Sequence, residues 1–183
     1  MNNVAQNINN RGEVVGFSNL KGDTTTHAFL WTEDHGMTDL GTLPGDVASF
    51  AFGINNKRQV VGLSCDVNFN CRAFLWQDSV MTDLNQLIPP GSPLYLGFAN
   101  EINSRGAITG VAGANDGDHA FLATPCDGEH ADKEGCESEA TAVAQSGTLQ
   151  RPRVALPENV RNLLRQRLGS RYRTPGSTSE RAR

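Results

Sequence analysis

No stretch of this sequence is apolar for long enough to cross a membrane as a helix, which takes about 20 residues. The opening residues, Met1 to Asn7, are polar and contain no apolar core of an export leader. Aromatic side chains are scarce at 7%, with two Trp and two Tyr, so any core must rest on Phe and the aliphatic residues. No glycine-rich phosphate loop or dinucleotide fingerprint occurs, and Ser49, Ser64 and Ser92 stand outside any Gly-x-Ser-x-Gly context. The sequence therefore carries no signature of nucleotide binding or serine nucleophile chemistry. No catalytic residue, cofactor or metal is expected from it.

Cysteine is also sparse. The four fall in two close pairs, Cys65 with Cys71 and Cys126 with Cys136. Zinc sites of four cysteines use shorter gaps within each pair, and no histidine stands at ligand spacing beside these. Two local disulfides are the preferred reading, with free thiols as the alternative. Closing such short loops would stabilise the fold by roughly 2–3 kcal/mol each in the chain-entropy model. Disulfides imply an oxidising compartment. With no leader at Met1, the expectation is the C-terminal part of a longer exported protein, or a mis-started reading frame.

Glycine, by contrast, is plentiful at 19 residues, as suits a chain with many tight turns. Charge is divided unevenly: residues 1–150 carry a balance of −11 and residues 151–183 one of +7. The body is acidic and the short tail basic, which points to segments with separate roles.

The strongest signal is internal repetition. Ile8-Asn9-Asn10-Arg11-Gly12-Glu13-Val14-Val15-Gly16 returns as Ile54-Asn55-Asn56-Lys57-Arg58-Gln59-Val60-Val61-Gly62. It returns again as Ile102-Asn103-Ser104-Arg105-Gly106-Ala107-Ile108-Thr109-Gly110. A second block, His27-Ala28-Phe29-Leu30-Trp31, becomes Arg72-Ala73-Phe74-Leu75-Trp76 and then His119-Ala120-Phe121-Leu122-Ala123. A third, Met37-Thr38-Asp39-Leu40, recurs as Met81-Thr82-Asp83-Leu84. The units run over about 4–48, 49–96 and 97–125, within a body of residues 1–125.

Each unit reads as short strands joined by turns. Val60-Val61-Gly62-Leu63 is β-branched, as strands prefer. The almost wholly apolar Ala73-Phe74-Leu75-Trp76 suits a strand buried on both faces, and Val80 to Leu84 alternates as a half-exposed one. Strands are expected near 13–18, 27–32, 59–64, 72–77, 106–111 and 119–123, separated by variable loops at 18–26, 64–71 and 111–118. Four strands per unit of about 45 residues is the size of a β-propeller blade, whereas solenoid coils usually take about 20–30 residues. The fold class is thus all-β: antiparallel repeat sheets forming a partial propeller of about 2.5–3 blades.

These blocks resemble the bacterial HAF-repeat proteins, a family described as extracellular. The resemblance rests on His27-Ala28-Phe29, Arg72-Ala73-Phe74 and His119-Ala120-Phe121, on the flanking Ile-Asn-x-x-Gly and Met-Thr-Asp-Leu blocks, and on Gly41-Thr42-Leu43-Pro44-Gly45. It covers roughly residues 4–125. It implies an extracellular location and supplies no catalytic residues. Arg72 and Ala123 depart from the pattern, and fewer than three complete blades are present where a closed propeller needs at least four.

Several repeated residues invite functional readings. His27 and His119 could line a binding rim, but Arg72 replaces histidine in the middle copy and cannot bind metal, so a structural hydrogen bond to the backbone of a neighbouring strand is preferred. Trp31 and Trp76 could stack on sugars, but their apolar setting favours core packing. Asp39 and Asp83 could be paired carboxylates, yet one copy per unit is what a turn or strand-edge bond gives. Asn115-Asp116-Gly117-Asp118 lacks the spacing and closing Glu of a calcium loop and reads as a hairpin turn. Ile8, Gly16, Ala28, Phe29, Ile54, Gly62, Ala73, Phe74, Ile102, Gly110, Ala120 and Phe121 are taken as structural.

Beyond Pro125 the pattern stops. Residues 126–156 form an acidic, cysteine-containing segment and linker, and 157–183 a basic tail. That tail reads as mostly disordered, with a short amphipathic helix near 157–168 in which Val160, Leu163, Leu164 and Leu168 share a face. Its arginines offer weak contact with an anionic surface, and nucleic acid is not an expected partner. The functional expectation is a non-catalytic secreted repeat module, structural or ligand-binding, that associates with further blades or with itself through open blade faces. The alternative is a propeller-type hydrolase or lyase fragment acting on extracellular polysaccharide, which would need a pocket gathering groups such as Asp23, Asp66, Asp116 and His35.

Overall fold

The computed structural model describes residues 3–22, 25–89 and 91–126. Three antiparallel sheets follow one another along the chain. The first holds β1 (Asn3–Ile8), β2 (Val14–Asn19), β3 (Thr26–Thr32) and β4 (Gly36–Asp39), in that spatial order. The second holds β5 (Ala48–Ile54), β6 (Val60–Cys65), β7 (Cys71–Gln77) and β8 (Val80–Asp83). The third holds β9 (Tyr95–Ile102), β10 (Ile108–Ala114) and β11 (Gly117–Ala123). The described residues are all-β apart from one 3₁₀ turn at Leu84–Gln86, in which the Asp83 side chain accepts from the Asn85 N–H.

The same register recurs in each sheet. Gly16 stands opposite Ala5 on one side and Phe29 on the other. Gly62 likewise faces Ala51 and Phe74, and Gly110 faces Ala99 and Phe121. A bulge follows the alanine each time, between Ala5 and Asn7, between Ala51 and Gly53, and in β9 opposite Thr109 and Gly110. The phenylalanine ring lies over the glycine: a Cβ on Gly110 would stand 2.7 Å from the Phe121 ring, and one on Gly62 2.9 Å from that of Phe74. Aromatic cover of a cross-strand glycine fills the space that a missing side chain leaves.

The turn between the first two strands is also shared, and its asparagine builds it. The Asn9 side-chain oxygen accepts from the N–H groups of Arg11 (2.9 Å) and Glu13 (3.0 Å). Asn55 does the same for Lys57 and Gln59, and Asn103 for Arg105 and Ala107, all at 2.9–3.1 Å. Each turn needs one residue of positive φ. Gly12 and Gly106 supply it in two copies, while Arg58 adopts φ 60° in the third. A non-glycine residue there costs about 1 kcal/mol.

The sheets pack face to face. The second sheet sets Ala51, Ile54, Val60, Phe74 and Trp76 against Val15, Ala28 and Leu30 of the first. The third sets Leu96, Ala99 and Ile102 against Val61, Ala73 and Leu75 of the second. A third cluster joins Phe17, Phe50, Leu63 and Phe98 across all three sheets. The Asn7 amide also bonds the Glu101 carboxylate at 3.2 Å, so β1 and β9 meet past β5. Gly53 lies at that crossing, where a Cβ would come 3.0 Å from the Glu101 Cα. Among the described residues the three sheets pack in succession as an open arc and do not close on themselves.

Three expectations change. The third hairpin is tighter than the expected loop at 111–118: β10 runs to Ala114 and only residues 115–116 separate it from β11. Small Ala112, Gly113 and Ala114 keep the backbone ladder going opposite His119, Asp118 and Gly117. Trp31 is not packed away: it is 38% exposed, whereas Trp76 is 8% exposed. His27 bonds an aspartate side chain rather than neighbouring backbone. The tail, including the expected helix near 157–168 and residues Val160, Leu163, Leu164 and Leu168, lies outside the described residues.

The disulfide Cys65–Cys71 is formed, joining directly opposed residues of β6 and β7, and both cysteines are fully buried. Inside its loop, Asp66 accepts from the N–H groups of Asn68 and Asn70 at 2.9 Å. The loop repeats the asparagine turn in acidic form, with Phe69 at φ 63°. Cys126 is disulfide-bonded; Cys136, its expected partner, lies outside the described residues. A non-reduced digest is expected to yield a Cys65–Cys71 peptide, and replacing both cysteines by alanine to cost about 2 kcal/mol of stability. A peptide joining Cys65 to Cys126 or Cys136 would overturn this pairing.

Candidate functional site

Several polar side chains bridge one sheet to the next. Asn9 donates from its amide to the Asn55 carbonyl oxygen of the next sheet at 3.0 Å. Asn55 donates in the same way to the Asn103 carbonyl at 2.9 Å. Three asparagines thus form a row, each holding its own turn with the oxygen, while Asn9 and Asn55 also hold the next turn with the nitrogen.

Beside this row lies Glu13, whose carboxylate is buried. Asn9 donates to it at 2.7 Å, and the half-exposed Arg58 of the next sheet donates through Nε at 2.7 Å and through a second guanidinium nitrogen. Burial pushes the Glu13 carboxyl up, but the hydrogen bonds from Arg58 and Asn9 and the charges of Arg58 and Arg11 outweigh it and hold it below the usual carboxylate value. The ion pair explains why arginine is tolerated at the positive-φ position where the other turns carry glycine. A carboxyl depressed in the folded state stabilises the protein above its unfolded pKa, about 4.3, and loses that contribution as pH falls through the folded value. The melting temperature is therefore expected to drop as pH is lowered from about 4.5. Glu13→Gln should flatten that drop and cost on the order of 1 kcal/mol at neutral pH. A Glu13→Gln melt with an unchanged acid limb would refute it.

At the opposite end of the strands a basic side chain at the start of the third strand meets the fourth-strand aspartate. His27 Nδ1 lies 2.9 Å and 3.0 Å from the two Asp39 oxygens. Arg72, at the matching position, donates to Asp83 at 3.1 Å, to Asp46 at 2.8 Å and to the Pro44 carbonyl at 3.0 Å. Asp39 also accepts from the Gly41 N–H at 2.8 Å, and Asp83 from that of Asn85 at 2.9 Å. These carboxylates fasten the exit of the outer strand, as a repeated turn bond should. Among the described residues His119 has no such aspartate across from it; its Nε2 meets Asp116 of its own turn at 2.8 Å. That hydrogen bond, with a smaller contribution from the charge of His119, holds the exposed Asp116 carboxyl below its usual value.

Two serines considered as nucleophiles turn out to be clamps on the connection between sheets. Buried Ser49 accepts from the Ala28 N–H at 2.8 Å and donates to the Gly41 carbonyl at 2.5 Å. Buried Ser64 accepts from the Leu43 N–H at 3.0 Å. Asn85 repeats the device at the next connection, gripping the Leu96 N–H (2.8 Å) and carbonyl (3.0 Å) of β9. Sequence reading missed Asn85 and Asp46 because neither belongs to a repeated block.

Of the groups named for an enzyme pocket, His35 stands apart. His35 lies in the turn between β3 and β4, at the end of the strands opposite Asp66 and Asp116, and Asp23 is outside the described residues. Among the described residues no cluster of three or more His, Cys, Asp or Glu could hold a metal ion. No helix there is long and apolar enough to cross a membrane. In comparisons with known protein families, with curated proteins and with solved structures, nothing matches this chain.

Proposed function

We propose that the chain is a non-catalytic structural or interaction module of a secreted repeat protein of the HAF kind, an arc of a β-propeller whose end sheets take further sheets of the same type. One observation carries the reading. Ile54 and Trp76 are buried by the sheet before them, at 6% and 8% exposure, while Ile8 and Trp31 at the matching places in the first sheet are 62% and 38% exposed. Met37, matching Met81, is exposed beside them, and at the far end of the arc Leu122 is 67% exposed where Leu30 is buried. A cluster of large apolar side chains at places that elsewhere form a core is an interaction surface. The buried disulfide suits an oxidising compartment.

The test is to fuse a second copy of residues 49–96 ahead of the first sheet. Its Val61, Ala73 and Leu75 would then meet Ile8 and Trp31 as they meet Ile102 in the native arc. Light scattering of the original chain is expected to show association or marginal stability. The fused form should melt higher, and its tryptophan emission should shift to the blue as Trp31 leaves water. An original chain that is monomeric and melts as high as the fused form would refute the reading.

A further inference from the structure

Among the described residues the third sheet stops one strand short of the other two. In the first sheet β4 lies along β3 with Asp39 opposite Phe29, Thr38 opposite Leu30 and Met37 opposite Trp31. In the second, β8 lies along β7 with Asp83 opposite Phe74, Thr82 opposite Leu75 and Met81 opposite Trp76. Among the described residues nothing pairs with the outer edge of β11, although Phe121, Leu122 and Ala123 hold the matching places. The sequence after Ala123 contains no third Met-Thr-Asp-Leu block, and Pro125, which lacks an N–H, follows two residues on. His119 supplies a second observation. Its side chain is 43% exposed, against 19% for His27 and 14% for Arg72. Its Nε2 is taken by Asp116, and Nδ1, the nitrogen that His27 turns to Asp39, has no partner among the described residues.

We propose that the outer edge of β11 is a docking site for a separate extended strand of the β4 and β8 type, an apolar residue followed by Thr-Asp-Leu. The strand runs antiparallel to β11, with its aspartate opposite Phe121 and within reach of His119 Nδ1, its threonine opposite Leu122 and its apolar residue opposite Ala123. Backbone pairing supplies the attachment and the His119–Asp contact sets the register, as in other cases of strand addition to a sheet edge. A second copy of this chain is not the donor, because its own β4 and β8 are each paired within their sheets. The inference rests on the β3–β4 and β7–β8 registers and is independent of how many sheets the whole protein holds.

The probe is the synthetic heptapeptide Ser-Val-Met-Thr-Asp-Leu-Asn, identical to residues 79–85, titrated to millimolar concentration into the isotopically labelled full chain. Expected are amide shift changes and slowed hydrogen exchange confined to residues 117–123, with contacts between the peptide threonine and Leu122. Replacing the peptide aspartate by asparagine, or His119→Ala in the protein, should weaken binding by about threefold. N-methylation of the peptide amides that face β11 should abolish it. Absence of shifts at millimolar peptide, shifts centred away from β11, or equal binding by a scrambled peptide would each overturn the proposal.

Discussion

Gly62→Ala is expected to destabilise the protein by about 3 kcal/mol or more, a large share of the roughly 5–15 kcal/mol that holds a domain together. Its Cβ would stand 1.9 Å from the Phe50 carbonyl oxygen and 2.9 Å from the Phe74 ring. The first neighbour is backbone, so relief requires β5 to move as a strand, and β5 is buried along its whole length. The matching Gly16 and Gly110 have the same problem, at 1.9 Å from the Val4 carbonyl oxygen and 2.0 Å from that of Phe98. Gly12→Ala provides the contrast. It has open space around it, and its φ of 74° alone should cost about 1 kcal/mol. Urea denaturation of the two variants separates steric from conformational strain. Equal losses would mean that the close approach of β5 to β6 is not what fixes the glycine.

The second large effect is a difference between two equivalent residues. Ile54→Ala should cost about 2–5 kcal/mol, because the side chain is packed between the first and second sheets. Ile8→Ala, the same change in the same block one unit earlier, should cost under about 0.5 kcal/mol, because Ile8 is 62% exposed. Thermal or urea melts of the isolated variants measure both. In the form carrying an additional sheet ahead of β1, the Ile8→Ala cost should rise toward that of Ile54→Ala. If Ile8→Ala is as damaging as Ile54→Ala in the original chain, the first sheet already has a cover on that face.

The contrast between Ile8 and Ile54 also marks how far the sequence could be read. The two residues sit in matching blocks, so the repeat predicts the same burial for both. Burial depends on which sheet lies alongside, and that information is not in the block. Trp31 and Trp76 differ for the same reason. Within a unit, reading was easier. Val-Gly stands opposite Phe-Leu across neighbouring strands, and Asn9, Asn55 and Asn103 carry the side chain that makes a turn, so composition and spacing suffice. Asp39 was legible as a turn bond, while its partner His27 was not, because the two are joined only by the pairing of β3 with β4. The short third hairpin was missed since a backbone ladder asks nothing of Ala112, Gly113 and Ala114 beyond small size.

The row of asparagines has a sense of direction. Each amide points forward to the carbonyl of the next turn, from Asn9 to Asn55 and from Asn55 to Asn103. One end of the row therefore offers a donor, at Asn103, and the other an acceptor, at Asn9. Two copies meeting like to like, around a two-fold axis, would set donor against donor or acceptor against acceptor. Growth through this row would be polar, joining the head of one copy to the tail of another, and heterologous joints of that kind generate closed rings or open helical filaments rather than an isologous pair.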